Sequence, residues 1–380
     1  MDRRAPRILL LIPAALAAIV AVAHPARAGE TASHAAQPRP AGGTEPGGSH
    51  AATLTVCTQN LWNYGLEPDV LRLRRSGAAP AKVAARLERQ ERELVARMKG
   101  CDLIAVQEIV GDETARAQEA LDGLARRLGQ STGHRFTARV ADTNDVIRNG
   151  FILRADGGLK EVRFEGAHAA DALPRVRGFP RARWERGPAE ILIEAGSGKG
   201  ARRLRVITAH LKSKAEAPER RDPNEEKWER ARVLQAAALL DIARRRLRDD
   251  PRELLLVAGD LNNVPASPTQ EVATGALDPA SLLSPRDCID DRARLSCDLA
   301  RKPADLINLT GADPDLHDRG SYIFEEREEM IDVILASPAA ARLARESDGA
   351  DNDWDIELVG RRGEGSDHLL LRVELALDGP

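Results

Sequence analysis

Short apolar runs recur along the chain, and polar groups close them off. LTVCTQN (54–60), DLIAVQE (102–108), LRVITAH (204–210) and ELLLVAGDLN (253–262) are β-branched and apolar, too short for buried helices, and read as strands. They end in Gln59-Asn60, Val106-Gln107-Glu108, Thr208-Ala209-His210 and Gly259-Asp260-Leu261-Asn262; a fifth block, Ser366-Asp367-His368, precedes the run Leu369–Leu377. A strand that breaks off into a polar residue puts it at a sheet edge, where ligands bind. Several such edges brought together form an oxygen-rich site suited to a hard divalent cation.

Between these runs the period changes to that of a helix. In Ala81–Met98, Val83, Leu87, Leu94 and Met98 fall on one face, with Pro80 before the start and Gly100 past the end. Asn224–Arg248 is a second long helix, with Leu240, Ala243 and Leu247 aligned. Phe151–Arg154, Ala189–Ala195 and Ile331–Ala336 supply further strands. The piece GSGKGAR between two strands lacks the glycine spacing and the Ser/Thr of a phosphate loop and reads as a hairpin turn. Alternating strands and helices indicate one α/β domain over 52–380 with helical outer layers.

The N-terminus is different. Arg3, Arg4 and Arg7 precede ILLLIPAALAAIVAVA and then Ala26-Arg27-Ala28, the pattern of a secretory signal peptide over residues 1–28. Pro13 and the short apolar length argue against a membrane anchor, so the expectation is a secreted or periplasmic protein without stable membrane association. Residues 29–51, rich in Gly, Pro and Ala, read as a disordered linker. Removing 1–28 takes four arginines and one aspartate from 56 basic and 59 acidic residues, leaving 52 and 58, a net charge of −6. Any grip on a polyanion must therefore be local. Cys288 and Cys297 bracket a polar loop that a disulfide would staple. Cys57 and Cys101 form either a second bridge or two buried thiols, the thiols being preferred.

The blocks Gln59-Asn60, Gln107-Glu108, His210 in AHLKSK, Gly259-Asp260-Leu261-Asn262, Met330-Ile331-Asp332-Val333-Ile334 and Ser366-Asp367-His368 resemble the endonuclease/exonuclease/phosphatase superfamily, which includes the DNase I-like nucleases. The resemblance spans 53–377. It implies a four-layer α/β/β/α sandwich of two packed mixed sheets flanked by helices, and Mg2+-dependent cleavage of phosphate esters, with Mn2+ or Ca2+ as alternatives. A cation would neutralise the phosphate and stabilise the leaving oxygen. Glu108 and Asp367 are the candidate ligands, and Asn60 is placed to orient a ligand or contact a phosphate oxygen. His210 and His368 are candidate proton carriers. Asp332 occupies the position of the partner of His368, while Asp260 and Asn262, two residues apart, are expected to point the same way from their strand.

Substrate recognition is sought in RVRGFPRARWERGP, the densest basic stretch of the mature chain. Arg181, Arg183 and Arg186 are candidate phosphate contacts and Trp184 is an aromatic among them. Two departures from the family pattern stand out. Trp62 takes the place where the two-metal abasic-site endonucleases carry an acid, and the carboxylate that usually supports the first histidine is missing, Asp145 being the nearest substitute. Three function classes compete. A secreted nuclease acting on DNA or RNA is preferred, with a sphingomyelinase-like or other small-phosphoester hydrolase second and an inactive binding module third. Low aromatic content, 3%, weighs against the lipid enzyme, and the presence of Glu108, Asp260 and His368 weighs against the inactive module. No protein partner is legible.

Overall fold

The structure is a computed structural model. It describes residues 53–74, 79–143, 145–166, 168, 170–176, 182–196, 201–214, 224–279, 303–316, 319–324, 327–344, 354–361 and 365–377. The expected signal peptide 1–28, the expected linker 29–51, Arg181 and the Cys288–Cys297 loop lie outside the described residues.

In chain order the elements are β1 (Thr53–Gly65), α1 (Glu67–Arg74), α2 (Pro80–Met98), β2 (Leu103–Val110), α3 (Thr114–Thr132), β3 (Phe136–Val140), β4 (Ile147–Arg154), β5 (Leu159–Glu165), β6 (Ala189–Ala195), β7 (Arg202–His210), α4 (Asn224–Asp249), β8 (Leu254–Asp260), α5 (Pro268–Thr274), β9 (Ile307–Asn308), α6 (Leu309–Ala312), β10 (Tyr322–Phe324), β11 (Arg327–Glu329), β12 (Asp332–Ala336), α7 (Pro338–Leu343), β13 (Ile356–Val359) and β14 (Leu370–Ala376). Six strands form one mixed sheet in the order β13-β14-β1-β2-β4-β3, six form a second in the order β5-β6-β7-β8-β12-β9, and β10-β11 is a small ribbon. The register Ala195↔Arg202 makes β6 and β7 antiparallel neighbours, as the hairpin expectation requires.

Period-2 alternation explains both the layering and the site. On the first sheet, Leu54 and Val56 of β1 and Leu103 and Ala105 of β2 share one core with Leu204 and Val206 of β7, Leu254, Leu256 and Ala258 of β8 and Ile334 and Ala336 of β12 from the second. Continuing each row by twos leads to Thr58 and Asn60, to Gln107, to Thr208 and His210, to Asp260 and to Asp332. Each strand is thus apolar at one end of its inward face and polar at the other. The opposite face of the first sheet packs with α2 and α3 through Ile104, Val106, Leu94, Leu121 and Leu124. That of the second packs with α4 and α5 through Ile207, Leu255, Val257, Leu239 and Val272. The result is the four-layer α/β/β/α sandwich.

Gly259 has a specific reason. A Cβ there would lie 2.1 Å from the carbonyl oxygen of Ala209, so only glycine lets β7 and β8 approach where His210 pairs with Asp260.

The preference for buried thiols is corrected: Cys57 and Cys101 form a disulfide with Cα atoms 6.0 Å apart. The turn closing α2, where the Cys101 amide donates to the Met98 carbonyl, sets Cys101 beside β1, a proximity that two cysteines 44 residues apart do not disclose. Closing a 44-residue loop constrains the unfolded chain by about 4 kcal/mol in the loop-entropy account. Replacing both cysteines by alanine is therefore expected to lower Tm by roughly 5–10 °C in a calorimetric scan. An unchanged Tm would show that the bridge contributes nothing to stability.

Candidate active site

The polar ends of the inward rows meet at one mouth between the two sheets. Their floor is a hydrogen-bonded bridge: the Gln107 amide donates to Thr208 Oγ1 (2.9 Å) on the opposite sheet and to Thr58 Oγ1 (3.1 Å) beside it. All three side chains are buried, so water is excluded beneath the site.

Glu108 follows Gln107 and in a regular strand would face the helices. It does not, because β2 is not a clean strand end. Its register with β4 shifts between Val106 and Ile109, and Glu108 takes φ +60°, which turns its carboxylate back to the site. The first strand does the same, shifting register between Asn60 and Tyr64, with Trp62 (+53°) and Asn63 (+54°) also left-handed. The expected strand ends at Asn60 and Glu108 are thus bulges within longer strands. Such backbone costs on the order of 1–3 kcal/mol per residue and persists where surroundings enforce it. Here Asn60 Nδ2 donates to Glu108 Oε1 (3.2 Å), the Asn63 amide to Glu108 Oε2 (2.9 Å), and the Trp62 amide to Asn60 Oδ1 (2.9 Å). From α2, Arg86 and Gln90 donate to the Trp62 carbonyl at 3.0 and 3.2 Å.

Asp260 sits at the centre. Asn60 Nδ2 donates to its Oδ2 at 3.1 Å, the Asn262 amide to its Oδ1 at 2.7 Å, and His210 Nε2 and His368 Nε2 lie 3.6 and 3.9 Å from Oδ2. Asn262 does not share its direction. Strand β8 ends at Asp260, Asn262 adopts φ +54°, and its side chain donates to the Leu211 carbonyl (3.1 Å).

His368 Nδ1 is 2.7 Å from Asp332 Oδ2, leaving Nε2 to face Asp260. Asp367 Oδ1 lies 4.0 Å from that Nε2. The loop carrying both is tied to β1 and α2: Ser366 Oγ donates to the Asn60 carbonyl (2.7 Å), and Gln59 Nε2 and Arg97 Nη1 donate to the His368 carbonyl (3.3 and 2.7 Å). Tyr322 places its ring 4.7 Å from the imidazole of His368. Ser366 belongs to a block the sequence marks, but its tethering role does not show there, and Tyr322 has no periodicity to mark it.

His210 is different. Asp145 does not support it but accepts from the Ile147 amide (3.2 Å), closing the turn before β4. The neighbour is instead Arg186, whose Nη1 lies 3.2 Å from both ring nitrogens; Glu108 Oε1 is 3.9 Å from Nε2. A cation thus occupies the place where the family pattern led us to expect an acid. Arg183, by contrast, is exposed, and Gln235 donates to its carbonyl.

The electrostatics follow from burial and charge. Burial, the Arg186 guanidinium and His368 hold His210 well below the usual histidine range. Burial alone would lower His368, but Asp332, through its charge and its hydrogen bond, and Asp260 and Asp367 raise it to about 10. Burial pushes Asp260 up to about 7, against the pull of His368. It pushes Asp367 up to about 6, with Glu108 adding to the rise. Four carboxylates therefore converge, and Asp332 Oδ1 is buried without a donor among the described residues. An all-oxygen, acid-rich set of this kind fits a hard divalent cation. Glu108 and Asp367, with the Asn60 amide near, would hold it. Asp260, Asp332 and His368 are also close enough together to bind a metal, but the short Asp332–His368 contact makes that trio an acid–imidazole chain instead.

The distances to known proteins are large. No curated protein matches the chain. Among solved structures, a humanized TDP2 from D. rerio is 14% identical, with 85% of this chain and 98% of that one covered and a TM-score of 0.46. The human Nocturnin catalytic domain with bound sulfate is 14% identical (86% and 94% covered, TM-score 0.46). ANGEL2, a 2',3'-cyclic phosphatase in complex with adenosine-2',3'-vanadate, is 13% identical (85% and 96% covered, TM-score 0.48). The family comparison is decisive: the Endonuclease/Exonuclease/phosphatase family model matches residues 57–368, a span running from β1 to His368 and enclosing every residue of the mouth. The chain belongs to the Endonuclease/Exonuclease/phosphatase family, whose members depend on a divalent metal.

Proposed function

We propose that the protein is an exported, Mg2+-dependent phosphodiesterase that hydrolyses DNA or RNA. Family membership marks it as a phosphoric ester hydrolase. The observation that carries the finer reading is the chain Asp332–His368–Asp260, closed on its other side by His210 and bordered by Glu108. A phosphodiester resists attack because its charge repels the nucleophile and its leaving alkoxide is poor. A bound divalent cation would neutralise the one and stabilise the other.

The residues of the chain supply the rest. Asp332 fixes the imidazole of His368 through Nδ1, so the proton it exchanges is at Nε2. Asp260, raised to about 7, titrates in the range suited to general acid–base work and lies within reach of both imidazoles. His210 is held neutral, making it a hydrogen-bonding partner for a phosphate oxygen, and Asn60 donates an amide on the same side. Arg186 brings positive charge to the mouth beside His210, with Lys212 two residues beyond it. Export is supported by the signal-like N-terminus and agrees with the Cys57–Cys101 disulfide, since such bridges persist in oxidising compartments.

The test is mature protein from Gly29 incubated with supercoiled plasmid and with RNA, with Mg2+ or with EDTA. Nicking and fragmentation of plasmid, blocked by EDTA, is the expected result. Cleavage of RNA alone would narrow the substrate. Inertness toward both polymers would sink the nuclease reading, and hydrolysis of sphingomyelin or another small phosphodiester in the same assay would replace it.

A further inference from the structure

The first half of α4 carries a buried polar stripe. Glu229, Arg232 and Gln235, at spacing i, i+3 and i+6, are 4%, 2% and 2% exposed and so share one face of the helix. The Glu229 carboxylate accepts from Arg232 Nε (3.0 Å) and Nη2 (2.7 Å), from Asn263 Nδ2 (2.7 Å) and from Thr269 Oγ1 (2.8 Å). Arg232 Nη1 donates to the Lys212 carbonyl (3.2 Å). Gln235 accepts from the Lys212 amide (2.9 Å) and donates to the Arg183 carbonyl (3.1 Å). Three side chains thus hold three separate segments. Lys212 lies two residues after His210, Asn263 one after Asn262, and Arg183 three before Arg186.

A buried ion pair is a poor source of stability; apolar residues of similar volume do as well or better. The bonds of this one lead mostly to loops that carry the mouth of the site. Among the described residues they reach the half contributed by the second sheet, whereas Glu108 is on β2 and Asp367 in the loop before β14. We propose that Glu229, Arg232 and Gln235 are positioning residues that fix His210, Asn262 and Arg186 relative to one another. This rests on the phosphoester reading of the same site.

The experiment compares Glu229→Gln and Gln235→Leu with wild type in the full mature chain. The second variant removes no charge and guards against misfolding of the first. For both, kcat falls, by about 10²-fold where a loop shifts by an ångström, while KM and the Mg2+ concentration for half-maximal rate stay put. Adding Glu229→Gln to Asn262→Ala costs little beyond Asn262→Ala alone, because both act through one loop. Amide exchange speeds up in peptides covering the three held segments, 182–186, 210–214 and 260–269, and not in β1, β2 or the loop before β14. Folded variants with wild-type kcat, full additivity with Asn262→Ala, or unchanged exchange in those peptides would each overturn the proposal. If the wild type hydrolyses no phosphoester, the functional reading fails by itself, and the exchange measurement still decides whether the stripe orders these loops.

Discussion

Replacing His368 by alanine is expected to lower kcat on a phosphodiester by about 10³-fold, within the range that a positioned proton carrier supplies. The loss should fall on kcat, since the imidazole is buried and held by Asp332 at 2.7 Å and contributes more to proton transfer than to substrate affinity. Stability should also drop, by roughly 1–3 kcal/mol, the cost of leaving the buried Asp332 carboxylate without its donor. Replacing Asp332 by alanine in the same chain should recover much of that stability and none of the activity. Asp332→Asn separates the electrostatic part. Asp332 is the principal group raising His368 against the effect of burial, so removing its charge lowers the imidazole pKa. The pH–rate limb assigned to His368 then moves to lower pH. A limb that stays in place in Asp332→Asn would detach it from His368, and near-wild-type turnover in His368→Ala would remove the residue from the chemistry.

The second large effect is expected at Glu108. Its carboxylate is held by Asn60 and the Asn63 amide on a backbone at φ +60°, an arrangement that fixes its oxygens before any ligand arrives. Glu108→Gln keeps the size and loses the charge. If Glu108 is a metal ligand, several kcal/mol of transition-state stabilisation go with it, and about 4 kcal/mol corresponds to roughly 10³-fold in rate. Calorimetric titration with Mg2+ supplies a readout apart from turnover, with weakened binding in Glu108→Gln and unchanged binding in His210→Ala. Equal affinity in wild type and Glu108→Gln would move the metal to other residues. Glu108→Gly would test the backbone, because glycine tolerates φ +60° without strain. It should be folded and inactive.

Much of this was legible in the one-dimensional pattern. Side-chain period is a local property, so apolar runs and helical stripes identified β1, β2, β7, β8, α2 and α4 to within a residue or two at most ends. The acid, amide and imidazole blocks hold Asn60, Glu108, His210, Asp260, Asp332, Asp367 and His368, but neither Tyr322 nor Arg186, which the Arg-rich stretch offered as a phosphate contact and not as the neighbour of His210. The order of those blocks was enough to indicate the family, and the Asp332–His368 pairing expected from it is present. The chemistry of oxygen ligands beside two imidazoles also follows from residue type alone.

What only the tertiary structure decided are the features set by contacts across long stretches of chain. A bulge is invisible to a period-2 rule, so Glu108 could not be turned toward Asp260 on paper. Cys57 and Cys101 needed the turn after α2 to bring them together. The acid sought for His210 is replaced by Arg186 because the antiparallel pairing of Ala189 with Thr208 brings the segment before β6 alongside His210, a pairing no local pattern encodes. Nothing in the spacing of Glu229, Arg232 and Gln235 marks them out in a chain that is 30% charged. They became an interior stripe only when α4 was laid against the second sheet, since burial depends on what packs above a residue and spacing reports only which residues share a face.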